Sequence, residues 1–275
     1  MGVSGKMRET RRVKFPTQRG HELVGILERP TGPVRFQAVA AHCFTCTKDL
    51  KTLVKLSREL VRRGIAVFRF DFTGLGESQG DFSTSTFADN CEDLEAALRF
   101  VEKEFAPVDL LFGHSLGGAT SLVAAARRKR AAQSEHPAPR VLVTLGSPCD
   151  TPHLADKLER MDPTLLTADE GEVTIGGINF VIRRPMLNGL RSFNVAQEIQ
   201  GLDIPTLIVH SRSDTTVDFA NALSLFDMLR PHASLLAVPD ADHLFTTPPS
   251  EIAFLAETLD RFTARATSRY QAPTT

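Results

Sequence analysis

Short runs of β-branched and aromatic residues alternate along the chain with longer stretches whose apolar positions recur at helical spacing. RRVKFPT (residues 11–17) and HELVGILERP (21–30) read as two strands joined by a turn at Arg19-Gly20. RFQAVAAHC (35–43) is a third strand. From Lys48 onward, Leu50, Leu53, Val54, Leu56, Leu60 and Val61 share a helical face that Gly64 ends. IAVFRFDF (65–72) is a buried strand, and a helix follows to Phe105, opened by a Thr86-x-x-Asp89 capping box. VDLLFG (108–113) is a strand, 115–130 a helix and RVLVTLG (140–146) a strand. PTLIVHS (205–211), a helix over 217–230, ASLLAVP (233–239) and a helix over 250–266 complete the pattern. Strict alternation of strand and helix predicts an α/β fold, a mostly parallel central sheet with helices on both faces. The alternation breaks between 149 and 203, where GEVTIGGINFVIRRP (171–185) reads as a small hairpin. This region is expected to be an inserted cap on a single domain spanning 1–275, and the polar residues 268–275 a loose tail.

Composition narrows the classes. Hydrophobic residues make up 42% and charged residues 24%, which suits one large core and argues against disorder. A formal net charge of -1 makes nucleic acid a poor partner. The basic run RRKR (127–130) closes a predicted helix, where cations meet the negative end of the dipole. No apolar stretch is long enough to span a membrane. The first residues, MGVSGKMRETRRVKF, hold no apolar signal region, and Lys6 stands where a myristoylation motif takes Ser or Thr. The four cysteines, Cys43, Cys46, Cys91 and Cys149, are too few for a disulfide framework in a chain of this size, so a reducing, cytoplasmic setting is expected.

Chemistry concentrates around Gly113-His114-Ser115-Leu116-Gly117. A strand feeds directly into Ser115 and a helix leaves directly after it. Gly-x-Ser-x-Gly in that setting predicts a sharp turn that lifts a nucleophilic hydroxyl clear of the sheet, with Gly113 and Gly117 where a side chain would collide. The competing reading is a serine that caps the helix. A nucleophilic serine needs a base, and on a fold of this order the acid and then the histidine follow it along the chain. His243, in the loop after the last predicted strand, suits the base. Asp214, just past the strand before, suits the acid, with Asp150 as its rival; Asp240 and Asp242 read as turn formers. His114 lines or packs the elbow, His210 sits within a strand, and His21, His136, His153 and His232 fall in turns or loops without matching partners. Backbone N–H groups of Leu116 and Phe44 are the expected oxyanion donors. Cys43-x-x-Cys46 suggests redox or metal chemistry, but no further ligands or thioredoxin-like surroundings accompany it. No metal is expected, and Cys43 stands as a modifiable thiol beside the oxyanion hole. DFTGLGES (71–78) lacks the spacing of a dinucleotide fingerprint and reads as a turn shaping the floor of the site.

These features together resemble the α/β-hydrolase superfamily. AHCFTCTKDL, FRFDFTGLGESQGDF, LFGHSLGGA, HSRSDTTVDFANA and DADHLF resemble more closely the hydrolase part of two-domain proteins that join an α/β hydrolase to an OsmC-like domain. The resemblance implies a triad of Ser115, Asp214 and His243 and no cofactor. It also implies a small-molecule acyl substrate, an ester or thioester, cleaved through an acyl-enzyme. Acyl transfer and perhydrolysis use the same groups. A non-catalytic module partnering an OsmC-like peroxidase is the alternative from another class. No OsmC-like segment follows the last predicted helix, so peroxide chemistry is not assigned to this chain.

Overall fold

The computed structural model describes residues 8–131 and 136–269. Strands β1 (Arg8–Pro16), β2 (Glu22–Pro30), β3 (Phe36–Ala41), β4 (Ile65–Phe70), β5 (Leu110–His114), β6 (Val141–Leu145), β9 (Thr206–Ser211) and β10 (Ala233–Val238) form one eight-stranded sheet. Their order is β1-β2-β4-β3-β5-β6-β9-β10. The hairpin β1–β2 and the β2–β4 pair are antiparallel; every pair from β4 through β10 is parallel.

Alternation along each strand sorts side chains to two cores. Val39, Leu111 and Leu142 face one side, with Leu94 and Leu98 of α2 (Phe87–Glu104) and Leu122 and Val123 of α3 (Leu116–Arg130). Their strand neighbours Ala38, Leu110, Phe112, Val141 and Val143 face the other, with Leu53, Leu56 and Leu60 of α1 (Lys51–Arg62) and Leu255 and Leu259 of α8 (Glu251–Arg269). Of the apolar stripe read from the sequence, Leu53, Leu56, Leu60 and Val61 are buried on α1, together with Thr52 and Ser57, whereas Val54 and the preceding Leu50 are half-buried. The capping box of α2 forms: Thr86 Oγ1 accepts from Asp89 N (3.2 Å), and Thr86 N donates to the Asp89 carboxylate (2.7 Å). Helix α7 (Ala220–Leu229) packs against β9 and β10.

Between β6 and β9 lie α4 (Pro152–Met161), a short 3-10 turn (Pro163–Leu166), the hairpin of β7 (Glu170–Ile175) and β8 (Ile178–Arg183), α5 (Arg184–Ser192) and α6 (Val195–Glu198). The hairpin matches the sequence pattern and turns at Gly176-Gly177, both at positive φ. The helices around it escape sequence periodicity. They are short, and α4 and α5 begin at prolines that read as breakers yet suit a first helical turn. Leu158, Leu165, Met186, Leu187 and Leu190 are buried and join the core under this segment, whereas Met161 and Leu166 face solvent. At the C-terminal end, α8 runs to Arg269 and so takes in two residues expected in the loose tail. Thr267 is buried, its hydroxyl donates to Thr263 O, and its carbonyl accepts from Arg140. The remaining residues of that tail lie outside the described ones.

Candidate active site

Parallel strands deliver their following loops to one end of the sheet, and the central strand β5 delivers Ser115. Ser115 takes φ +54°, ψ -124°, a conformation unfavourable for a residue with a Cβ. Its N–H donates to Leu145 O (2.8 Å) and its carbonyl accepts from Gly118 N (2.8 Å), so neighbours on both sides hold the turn. The serine hydroxyl makes no capping bond to α3, which removes the helix-cap reading. A Cβ on Gly113 would press into the Gly117 carbonyl and stand 2.5 Å from Gly118 N. One on Gly117 would press into His42 O and stand 2.5 Å from Ala41 O. The elbow therefore lies directly against the chain that leads into the Phe44 loop.

Asp214 and His243 meet from two loops. His243 Nδ1 donates to Asp214 Oδ2 (2.7 Å), which leaves Nε2 as the acceptor nitrogen of the ring. Asp214 Oδ1 accepts from the backbone N–H groups of Thr216 (2.8 Å) and Val217 (2.9 Å). Burial alone would raise the Asp214 pKa, but the bond from His243 and those from the backbone outweigh it and hold the carboxyl below its ordinary value. Gly146, directly after β6, lies against both partners: a Cβ there would stand 3.3 Å from Asp214 Oδ2 and from His243 Nδ1. Since Leu145 receives the Ser115 N–H, serine, aspartate and histidine converge on the end of β6. Among the described residues no direct Ser115–His243 hydrogen bond is present; such bonds commonly shorten only when substrate is bound.

The rival Asp150 does not reach His243. Its side chain is exposed and pairs with His153 Nδ1 (2.6 Å). That pairing also corrects the placement of His153, which lies in α4 rather than in a loop. His136 likewise has a partner, Glu102, at 3.2 Å. Asp242 acts as a turn former, its carboxylate accepting from Thr246 and Thr247 N–H.

Two buried histidines do more than the sequence suggested. His114 Nε2 donates to the His243 carbonyl (2.8 Å), and its ring stands 4.9 Å from the His243 ring. It fixes the backbone that carries the imidazole. His42 Nδ1 donates to Cys43 O (2.8 Å) and its Nε2 accepts from Phe72 N (3.2 Å), tying the Phe44 loop to the segment after β4. Burial pushes both rings down to about 4, so both stay neutral at ordinary pH. The signal was position alone: each sits at the buried end of a central strand, where a polar ring must find a partner.

The far side of that loop is held by Asp71. Its carboxylate accepts from Lys48 N (2.6 Å), Lys48 Nζ (2.9 Å) and Glu77 N (3.0 Å). Burial alone would lower the Lys48 ammonium, but hydrogen bonds to Glu77 and Asp71 raise it overall. DFTGLGES thus forms a turn wrapped around one buried carboxylate, with Gly76 pressed against it.

Cys43 and Cys46 are joined in a disulfide, so the free Cys43 thiol expected from the sequence is not what this structure holds. Cys91 and Cys149 are free. Among the described residues, no cluster of three or more His, Cys, Asp or Glu is placed to hold a metal ion, and no helix is long and apolar enough to cross a membrane.

Comparison with known proteins agrees with this architecture. The family model described as Alpha/beta hydrolase family matches residues 38–253. The chain is similar to the esterase domain of a Rhodothermus marinus protein, at 34% identity and a TM-score of 0.71, covering 94% of this chain and 98% of that one. Est1E from Butyrivibrio proteoclasticus, solved with ferulic acid, shares the fold at a TM-score of 0.77 and 20% identity, over 93% and 99% of the two chains. Monoglyceride lipase of Rattus norvegicus is 27% identical over 195 residues, 63% of this chain. That match spans 64% of the rat protein's length.

Proposed function

The chain belongs to the alpha/beta hydrolase family, and from that premise and the Ser115 turn we propose that it is a serine hydrolase of short to medium acyl esters or thioesters. The observation that carries this reading is a serine held at φ +54° with its hydroxyl uncapped, at the end of the sheet where a buried aspartate pairs with a half-buried histidine.

In the proposed mechanism, Ser115 Oγ attacks the acyl carbonyl while His243 Nε2 takes its proton. Asp214 holds Nδ1–H, keeps the imidazole in the required tautomer and stabilises its charged form. The backbone N–H groups of Leu116 and Phe44 receive the developing oxyanion. His243 then protonates the leaving alcohol or thiol. It next takes a proton from water, which attacks the acyl-enzyme and frees the acid.

Chain length is read from the walls. The Phe44 ring packs on Phe82 (5.4 Å between centroids), and Phe82 packs on Phe180 of the β7–β8 hairpin (5.4 Å). These contacts tie the Phe44 loop to the β7–β8 hairpin, and most apolar residues of the insertion are spent holding it to the core. The rat relative is named a monoglyceride lipase and the Rhodothermus relative an esterase domain, which supports ester cleavage in general.

The test is a p-nitrophenyl ester series with increasing acyl length, alongside labelling with a fluorophosphonate. Turnover greatest on short and medium chains, with label on Ser115, is expected. A preference for long chains would overturn the substrate class. Absence of both label and turnover would favour a non-catalytic module.

A further inference from the structure

Phe44, the proposed second oxyanion donor, lies inside the four-residue span that the Cys43–Cys46 disulfide closes. We infer that this disulfide is a thiol–disulfide exchange site for small thiols, and that its redox state sets the position of the Phe44 N–H and hence the rate of the hydrolase. The inference rests on the hydrolase reading for its effect on rate, though not for its effect on the loop.

The span is anchored at both ends and lightly held between. On one side, His42 donates to Cys43 O and accepts from Phe72 N. On the other, Lys48 is pinned to Asp71 through its backbone and its ammonium group. Between them, the Cys46 N–H donates to Cys43 O (3.2 Å) and closes a turn in which Thr45 stands at φ +58°. A threonine is disfavoured there, because its branched side chain crowds the backbone in that region. The turn hydrogen bond, a bond from the Thr45 hydroxyl to Phe44 O (2.7 Å) and the covalent link together hold Thr45 in this conformation, and of these only the link ties the two ends of the span covalently. Without the link, the turn has reason to open, and the N–H of its second residue is the one that moves.

The two sulfurs are not equivalent. Cys43 is only 6% exposed, whereas Cys46 is half-buried and so the more accessible of the two. A thiolate therefore attacks Cys46 Sγ, and Cys43 leaves as a thiolate that takes a proton from water. A second thiol attacks the sulfur that the reductant placed on Cys46. The reductant leaves as its own disulfide, and Cys46 is released and protonated. Two thiols are oxidised and one disulfide is reduced, with two electrons passed to the protein. The other cysteines lie apart from this exchange: Cys91 is buried with its thiol pushed up to about 12, and Cys149 sits beyond β6.

The effect reaches past the oxyanion. Phe44 packs on Phe82 and Phe82 on Phe180, so a moved loop also disturbs its contact with the β7–β8 hairpin. The main loss is in kcat, because an oxyanion donor acts on the transition state.

The experiment compares ester turnover of the folded protein as oxidised, after dithiothreitol, and after reoxidation. Alkylation and mass spectrometry report which cysteines are free, and amide exchange is followed over residues 41–50. Reduction should lower kcat roughly ten-fold, short of the 10²–10³ seen when a donor is lost outright, with KM changed less, faster amide exchange in the loop, and recovery on reoxidation. The Cys43→Ser/Cys46→Ser variant should match the reduced enzyme and ignore dithiothreitol. Equal kcat with Cys43 and Cys46 both alkylated, or a disulfide that dithiothreitol never opens in the folded protein, would overturn the inference. If no ester turns over in either state, the hydrolase reading falls by itself; loop exchange that quickens on reduction then still supports the exchange site, and unchanged exchange overturns it.

Discussion

Ser115, Asp214 and His243 differ in how firmly the fold dictates their geometry, and substitutions should show it. In Ser115→Ala the methyl occupies the space of the serine CH₂ and the turn persists, but the attacking oxygen is gone. Turnover should fall by about 10⁴-fold or more and fluorophosphonate labelling should vanish, with the thermal midpoint little changed. Asp214→Asn is subtler. The backbone N–H groups of Thr216 and Val217 will keep hold of the amide oxygen, so the amide NH₂ must face His243 Nδ1. That favours the wrong tautomer, and kcat should drop by as much as about 10⁴-fold. Asp150→Asn, which alters only the exposed pair with His153, should leave the rate within about two-fold. A slow Asp150→Asn beside an active Asp214→Asn would move the acid to the loop after β6. At this scale the sequence was informative wherever a residue sits next to a local signal, as Ser115 sits between glycines and His243 after a strand. It did not show what His42 and His114 hold, because Phe72 and the His243 carbonyl reach them from segments far along the chain. It could not show that Cys43 and Cys46 are joined, because spacing fixes neither the approach of two sulfurs nor their redox state.

The elements meet most tightly where α3 leaves β5. Gly117 touches the carbonyls of Ala41 and His42, so the first turn of α3 and the end of β3 share a backbone contact with no side chain between. Gly117→Ala forces a Cβ into two carbonyl oxygens that cannot rotate away. The variant should lose about 1–3 kcal/mol of stability in urea unfolding. It should lose kcat beyond what stability explains, because the displaced chain leads straight to Phe44. Wild-type kcat in a folded Gly117→Ala protein would show that the loop tolerates the shift. The succession of strands and helices along the chain was legible because buried strands and amphipathic helices carry strong periodic signals, whereas the order of the strands across the sheet, with β4 between β2 and β3, is set by long-range pairing that local pattern does not carry. The insertion between β6 and β9 was legible only at its hairpin. Its helices are short, α4 and α5 carry a proline in their first turn, and these two take their stability from Leu158, Met186, Leu187 and Leu190 beneath them rather than from local pattern.

Over the whole molecule, the neutral buried histidines make stability depend on pH. In the unfolded chain His42 and His114 bind protons near the ordinary histidine value, about 6.5; in the folded protein neither does until about pH 4. Between these values the unfolded state holds more protons, so stability is full above about 6.5 and is lost as pH falls toward 4. His210, also lowered chiefly by burial, adds in the same direction. Asp214 is held below the usual carboxylate value, so its contribution is lost only at still lower pH and leaves this window unchanged. Urea unfolding at pH 5 should therefore give a free energy about 2–4 kcal/mol below that at pH 7. A flat profile across this range would mean that these rings reach water.

The sheet order carries a consequence in time. The Ser115 turn needs only β3, β5, β6 and α3 around it, all drawn from the first part of the chain. His243 comes after β10, an edge strand of the sheet, and His114 waits 129 residues for the carbonyl it holds. A ribosome building this chain releases the residues of the elbow well before it releases His243, the proposed base. On the proposed triad, a chain that has reached only β6 holds the serine turn without its base, and turnover waits for β9, β10 and the loop after β10 to dock.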